Sequence, residues 1–273
     1  MTTVGAALTQ ARALGLERLD AQLLLGHTLQ QTRAWLIAHD DAALTPVQQQ
    51  AFAAVCRRRA DGEPMAYLLG AREFHGLMLQ VGPAVLVPRP DTETLVDWAL
   101  ELLAGMEAPQ VADLGTGSGA IALALKHQYP AAHVCAVELS AAALDVAQAN
   151  AVRLGLKLEF VRGSWWQPLH GRHFHLVVSN PPYIADNDPH LDALRHEPAL
   201  ALTPGGDGLS ALAQIVREAP GHLHAGGWLL LEHGYDQQVA VQQLLIDAGF
   251  VAVGTRTDLA GRPRCSGGHR PLC

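Results

Sequence analysis

The sequence is short of charge and of aromatic rings. Asp, Glu, Lys and Arg make up 16% of its 273 residues and Phe, Trp and Tyr 5%, while hydrophobic residues reach 49%. That balance excludes a disordered chain and predicts a core-forming protein, long enough for one large domain and a small one. It has no basic excess: 19 Lys and Arg against 26 Asp and Glu leave a net charge of −7. A dominant electrostatic grip on nucleic acid is therefore not expected, although a local basic patch is still possible. No apolar run approaches the roughly 18 residues that would cross a bilayer. The start, Met1-Thr2-Thr3-Val4, lacks the basic and apolar segments of a signal peptide, so a cytoplasmic location is expected. Paired cysteine spacing is missing too. Cys56, Cys135, Cys265 and Cys273 read as free thiols in a reducing compartment. The 14 histidines show no ligand spacing, and no metal is expected. Cys265, His269 and Cys273 fall close together, but read as a frayed tail.

What is present sorts into two patterns. Residues 1–71 read as helices and as a domain of their own. Thr45-Pro46 with Gln48 marks a helix start, with Thr as cap, Pro in the first turn and Gln three residues on. That helix runs into Arg57-Arg58-Arg59, cations at its negative end, and stops at Asp61-Gly62. The three arginines read as solvated dipole partners, with RNA contact as the alternative. Residues 72–87 alternate as a β-hairpin linker. From 88 to 273 the pattern is strand then helix, repeated, which predicts an α/β domain with a doubly wound parallel sheet. Its strands are expected at Val111–Leu114, His133–Val137, Leu158–Val161, Phe174–Val178 and Gly227–Glu232, with a terminal hairpin from Phe250.

Two stretches at strand ends carry chemistry. Gly115-Thr116-Gly117-Ser118-Gly119 follows the first strand, where nucleotide-type ligands bind in such sheets and where glycines admit a close backbone approach. Glu138, after the second strand, is placed to accept hydrogen bonds from ribose hydroxyls. Asp113 precedes the glycines. A carboxylate there opposes a pyrophosphate and suits a sulfonium with an α-amino group, so S-adenosyl-L-methionine fits better than NAD. The second stretch is Asn180-Pro181-Pro182-Tyr183. Prolines remove N–H groups and fix φ, leaving the Asn180 amide oxygen and the Pro181 carbonyl as two outward acceptors beside the Tyr183 ring. Such a clamp grips a planar NH2 group; a plain Asn-Pro turn is the other reading.

Together, Asp113 to Gly119 and Asn180 to Tyr183 resemble the class I methyltransferases that act on amino or amide nitrogens. Flanking motifs narrow the resemblance to the release-factor glutamine N5-methyltransferases (the PrmC/HemK family). They are Gly62-Glu63-Pro64, Glu73-Phe74-His75-Gly76-Leu77, Pro88-Arg89-Pro90-Asp91-Thr92-Glu93, Glu197-Pro198-Ala199-Leu200 and Glu232-His233-Gly234. The resemblance implies a seven-stranded Rossmann-like methyltransferase sheet behind a small helical substrate-recognition domain. It implies that Gly115 to Gly119, Glu138, Trp165 and Asn180 line the S-adenosylmethionine site. Asn180, Pro181, Pro182 and Tyr183 would hold the substrate glutamine of a bacterial class I release factor carrying a Gly-Gly-Gln loop. A monomer with no direct nucleic-acid contact is expected. One departure is Glu138, where the family usually has Asp; the longer carboxylate still reaches a ribose. Trp165 suits an apolar wall beside adenine and equally a core position. Glu63, Arg89 and Glu93 read either as substrate contacts or as structural ion pairs. A glutamine of a ribosomal protein and adenine N6 are alternative substrates for the same clamp, and a non-catalytic binding module is the alternative outside enzymes.

Overall fold

A computed structural model describes residues 2–272. The chain divides into two compact units, Met1–Ala71 and Arg72–Cys273.

The smaller unit is a set of helices, Val4–Ala13, Arg18–Leu29, Arg33–Ala38, Pro46–Ala60 and Met65–Leu69. Val4, Leu24, Leu25, Leu36 and Phe52 meet in its core. The Thr45 hydroxyl accepts from Gln48 N at 3.2 Å, and Gln48 Oε1 accepts from Thr45 N at 2.9 Å. Two otherwise orphaned N–H groups are thus satisfied and the helix start is fixed. Two of the three arginines at the other end also form ion pairs, although Arg58 stays exposed. Gly62 turns the chain with φ +93°. The turn brings Glu63 back onto Arg58, which donates Nε to Oε2 at 2.7 Å and Nη2 to Oε1 at 2.5 Å. Arg59 donates to Asp20 at 2.7 Å. Glu63 is accounted for here as a structural ion-pair partner.

Strands β1 (Ala71–Phe74) and β2 (Leu77–Gln80) form the hairpin. It is no loose tether, because Phe74, Leu77 and Leu79 are buried in the core of the larger unit. Glu93 accepts from His75 N at 3.1 Å and so holds the hairpin turn.

The sheet of the larger unit contains β3 (Gln110–Leu114), β4 (His133–Glu138), β5 (Glu159–Arg162), β6 (Phe174–Ser179), β7 (Leu223–Glu232), β8 (Val251–Thr257) and β9 (Pro263–His269). Its order is β5-β4-β3-β6-β7-β9-β8. The first five are parallel and β9 is antiparallel to both β7 and β8. Strand order reverses between β3 and β6, the crevice where open α/β sheets bind ligands. Residues on one face, such as Val111, Val134 and Leu176, pack under the helices Glu93–Leu103 and Ala120–Gln128. On the other, Leu114, Val177 and Leu231 meet Trp166, Leu212 and Leu245.

The expected frayed tail is a strand within the sheet. Cys265 and Ser266 are 0% exposed. Gly267 is needed for the close approach to β7, since a Cβ there would lie 2.4 Å from Leu230 Cδ2 and 2.6 Å from Leu229 O. Cys56, Cys135 and Cys265 are buried free thiols, and Cys273 lies outside the described residues. Among the described residues no group of three His, Cys, Asp or Glu side chains could hold a metal, and no helix is long and apolar enough to cross a membrane.

Candidate active site

A cavity of about 430 Å³ opens at the carboxyl ends of β3, β4 and β6. Its floor is the glycine loop from Gly115 to Ser118, and one wall carries Glu138, Leu139 and Ser140. Trp165 closes another side, and Asn180 and Pro182 stand opposite. Residues from the 84–92 and 198–204 segments contribute further lining, as do Ser210, Ala211 and Gln214.

The glycine loop is built for close approach. Gly115 has φ +75°, and a Cβ there would meet the Trp165 ring at 3.1 Å. Gly117 has φ +56° with nothing within 4 Å of a Cβ position. Gly119, also at positive φ, caps the helix Ala120–Gln128. Glu138 is drawn onto this backbone. Oε2 accepts from Gly117 N and Oε1 from Ser140 N, both at 2.9 Å. Each oxygen keeps a lone pair for a further donor, so a diol can still bind. Trp165 lies on the cavity and on the core at once, partly buried, whereas neighbouring Trp166 is the core residue and donates Nε1 to Ile215 O at 3.1 Å.

Asp113 is turned the other way. Its carboxylate is fully buried beneath the loop, where Oδ2 accepts from Thr116 Oγ1 at 2.6 Å and Ala122 N at 3.2 Å. Oδ1 has no partner. Asp113 therefore shapes the loop from below and does not line the cavity. Burial pushes its pKa up to about 7, against the lowering hydrogen bonds from Thr116 and Ala122. A carboxyl raised in this way stabilises the fold most at low pH, where the folded state keeps a proton that the unfolded state loses, and that contribution disappears as pH rises through 7. Asp113→Asn is therefore expected to melt higher relative to wild type at pH 8 than at pH 5.5. Calorimetry at the two pH values checks this; a constant difference would contradict it.

In the Asn180 turn the side chains part company. Asn180 Nδ2 donates to Thr92 Oγ1 at 3.4 Å, its only side-chain hydrogen bond among the described residues, and Oδ1 is left open. The Pro181 carbonyl has no hydrogen-bond partner among the described residues, and its ring is buried. Pro182 lines the cavity. Tyr183 does not. Its ring packs against the core, its hydroxyl donates to Glu232 Oε1 at 3.2 Å, and Gln237 Nε2 donates to its carbonyl at 2.9 Å. The expected flat face beside the acceptors is instead a strut beneath them.

Family models and relatives agree on what this arrangement is. A model described as the PrmC N-terminal domain matches residues 3–70, and one described as the methyltransferase small domain matches residues 93–209. A release factor glutamine methyltransferase of Bordetella pertussis (strain Tohama I) is 51% identical over 93% of this chain and 96% of that protein. The one from Escherichia coli (strain K12) is 42% identical over 96% of each. The chain belongs to the release factor glutamine methyltransferase family. A methyltransferase from Pyrococcus furiosus shares the fold at 17% identity, with a TM-score of 0.52 over 72% of this chain and 90% of that one. So does the 16S rRNA methyltransferase RsmC of T. thermophilus, solved with AdoMet and guanosine, at 21% identity and TM-score 0.54 over 73% of this chain and 49% of that one.

The cavity residues fit S-adenosylmethionine. The Glu138 carboxylate with its free lone pairs, the apolar faces of Trp165 and Leu139 and the open backbone at Gly117 are groups of the kind that its ribose, base and remaining chain would need. Local sequence reading missed several supporting residues. Thr92 lines the cavity and holds Asn180. Arg89, which the sequence offers as a substrate contact or an ion-pair member, lines it and pairs with Glu197, a buried residue not singled out in advance whose Oε2 accepts from Val87 N at 2.9 Å. Glu232 is 1% exposed, and Arg264, which bonds Asp91 at 3.0 Å and Asp258 at 3.1 Å, supplies the nearby positive charge. Burial raises Glu232 to about 7, opposed first by the Thr92 hydroxyl and then by Arg264. For Thr92, Glu197 and Glu232 the only advance signal was their place in the quoted motifs, and Arg264 had none.

Proposed function

We propose that this chain transfers a methyl group from S-adenosylmethionine to the side-chain amide nitrogen, N5, of the glutamine in the Gly-Gly-Gln loop of a class I peptide chain release factor. The observation that carries the reading is the Asn180 amide: tied to Thr92 through Nδ2, it leaves Oδ1 open on the wall of a glycine-floored cavity. A carboxamide nitrogen is a poor nucleophile because its lone pair is delocalised into the carbonyl. No ordinary side-chain base removes its proton beforehand, so geometry has to do the activation. Asn180 Oδ1 and the Pro181 carbonyl each accept one N–H of the substrate. The nitrogen lone pair then points at the methyl carbon for in-line displacement, and the two acceptors stabilise positive charge as it grows on nitrogen. The bound donor supplies an electrophilic methyl on a sulfonium. The proton leaves nitrogen after transfer, when the nitrogen has become strongly acidic.

A lone glutamine offers too little surface to be selected among all others, so recognition of the partner protein falls to the unit Met1–Ala71 and to the hairpin. The net charge of −7 supports a protein partner over nucleic acid, and a release-factor partner supports a cytoplasmic location. The test is incubation with S-adenosylmethionine and a purified class I release factor, a ribosomal protein and DNA in parallel. One added methyl on the release factor, located on the loop glutamine, is expected. Label only in DNA or only in the ribosomal protein would overturn the substrate.

A further inference from the structure

The turn that carries the two acceptors is held unevenly. Asn180 is tied to Thr92, and just before it Ser179 Oγ donates to Leu114 O at 2.6 Å. Pro181 and Pro182 have no N–H to donate, and neither of their carbonyls has a hydrogen-bond partner among the described residues. Beyond them the chain is next tied at Tyr183. Its carbonyl accepts from Gln237 Nε2 at 2.9 Å, and its hydroxyl donates to Glu232 Oε1 at 3.2 Å. Gly208 packs on the same peptide group: its φ is +81°, and a Cβ there would lie 2.3 Å from Tyr183 O.

Gln237 stands at the head of the helix Gln238–Asp247, a few residues after the end of β7. Its side-chain amide is used at both ends. Oε1 accepts from Gly234 N at 2.9 Å while Nε2 donates to the Tyr183 carbonyl, and Gln237 N donates to Gly234 O at 3.0 Å. The partners dictate this polarity. A main-chain N–H needs an acceptor and a carbonyl needs a donor, so only one orientation of the carboxamide serves both. With φ locked at both prolines, the segment from Pro181 to Tyr183 has few ways to bend. A shift of the Tyr183 carbonyl is therefore passed on to the Pro181 carbonyl, which has no hydrogen bond of its own to resist it.

We propose that Gln237 is a positioning residue for methyl transfer: by holding the Tyr183 carbonyl it fixes, through the two prolines, the Pro181 carbonyl that faces the substrate nitrogen. The inference rests on Asn180 Oδ1 and the Pro181 carbonyl being the two acceptors. Two hydrogens on one nitrogen demand two acceptors at a set separation and angle. Thr92 secures the first of them, and Gln237 the second.

The experiment measures kcat and KM for the release factor, with S-adenosylmethionine affinity by calorimetry, in Q237M, Q237E, Q242M and N180A. Methionine keeps the length of glutamine and removes both polar ends. Expected for Q237M is a fall in kcat of about tenfold, part of the roughly hundredfold that a misplacement of about 1 Å can cost, with donor affinity unchanged. Q242M is the control for a damaged helix. Gln242 lies on the same helix and donates to Thr255 Oγ1 in β8 at 2.9 Å, and losing that bond should leave kcat at the wild-type value. Q237E tests polarity. An ionised carboxylate still accepts from Gly234 N but sets an acceptor against the Tyr183 carbonyl, whereas the protonated acid can donate to it. Its kcat relative to wild type should therefore rise as pH falls from 8 to 6. Wild-type kcat in Q237M, or an equal loss in Q242M, would overturn the positioning role while an inactive N180A leaves the acceptor reading standing. Full turnover in N180A would instead overturn the acceptor reading. Should Q237M not fold, Q237E decides: a deficit equal at both pH values refutes the role.

Discussion

Asn180→Ala is expected to lower kcat for the release factor at least about a hundredfold, which corresponds to about 2.7 kcal/mol of transition-state stabilisation. The magnitude follows from what alanine removes. Asn180 contributes one of two acceptors, and the remaining one, the Pro181 carbonyl, cannot by itself fix rotation of the substrate amide about its N–H bond axis. The lone pair then samples directions away from the methyl carbon, and the gain from a held geometry is lost along with the charge stabilisation. Folding should change little. Asn180 is only partly buried, and its one side-chain hydrogen bond among the described residues is 3.4 Å long. Donor affinity should fall by far less than turnover, since the glycine loop, Glu138 and Trp165 are untouched. Steady-state kinetics with purified release factor, read beside calorimetric donor binding, separates these effects. Near-normal methyl transfer by the alanine variant would remove the acceptor pair from the mechanism.

The sheet was legible wherever burial on both faces forces an apolar run, as at Val111–Leu114 and Phe174–Val178, whose observed strands extend those limits by a residue. Strand β9 was not. Its sequence, Pro-Arg-Cys-Ser-Gly-Gly-His, has neither an apolar run nor alternation, and it belongs in the sheet because small residues let it fit between β7 and β8. The glycine loop and the Asn180 turn were legible because φ-restricting and φ-permitting residues announce themselves locally. Which way the flanking side chains point was not. Asp113 looks like a ligand contact by position, but Thr116 and Ala122 N reach it from below and seat it under the loop. Tyr183 finds its partner Glu232 49 residues away, and Asn180 finds Thr92 88 residues away. No periodicity encodes such a pairing; only the packed sheet brings β6, β7 and the helix start at Thr92 to one place.

The second large effect concerns stability, and it is asymmetric across one ion pair. Glu197 and Arg89 meet with side chains 2% and 38% exposed. Removing the arginine leaves a carboxylate with a single backbone donor, Val87 N at 2.9 Å, beside the cavity that Arg89 lined. Arg89→Ala is accordingly expected to cost about 2–3 kcal/mol, at or below the lower end of the range for stranding one member of a fully buried pair, because water reaches the site from the cavity. Glu197→Gln is the milder change. The amide oxygen still accepts from Val87, and the guanidinium, already more than a third exposed, turns to solvent, so the loss is about 1 kcal/mol. Replacing both together, Arg89→Met with Glu197→Gln, removes the charge that alanine strands and should be less destabilising than Arg89→Ala alone. Urea denaturation of the three variants gives the ranking directly. A Glu197→Gln protein as unstable as Arg89→Ala would mean that the pair is held by something other than the burial of its acid. The pair also bears on the site, since Arg89 and the segment that begins at Pro198 both line the cavity. A charge buried at Glu197 thus anchors the cavity wall from behind, in the same way that Asp113 anchors its floor.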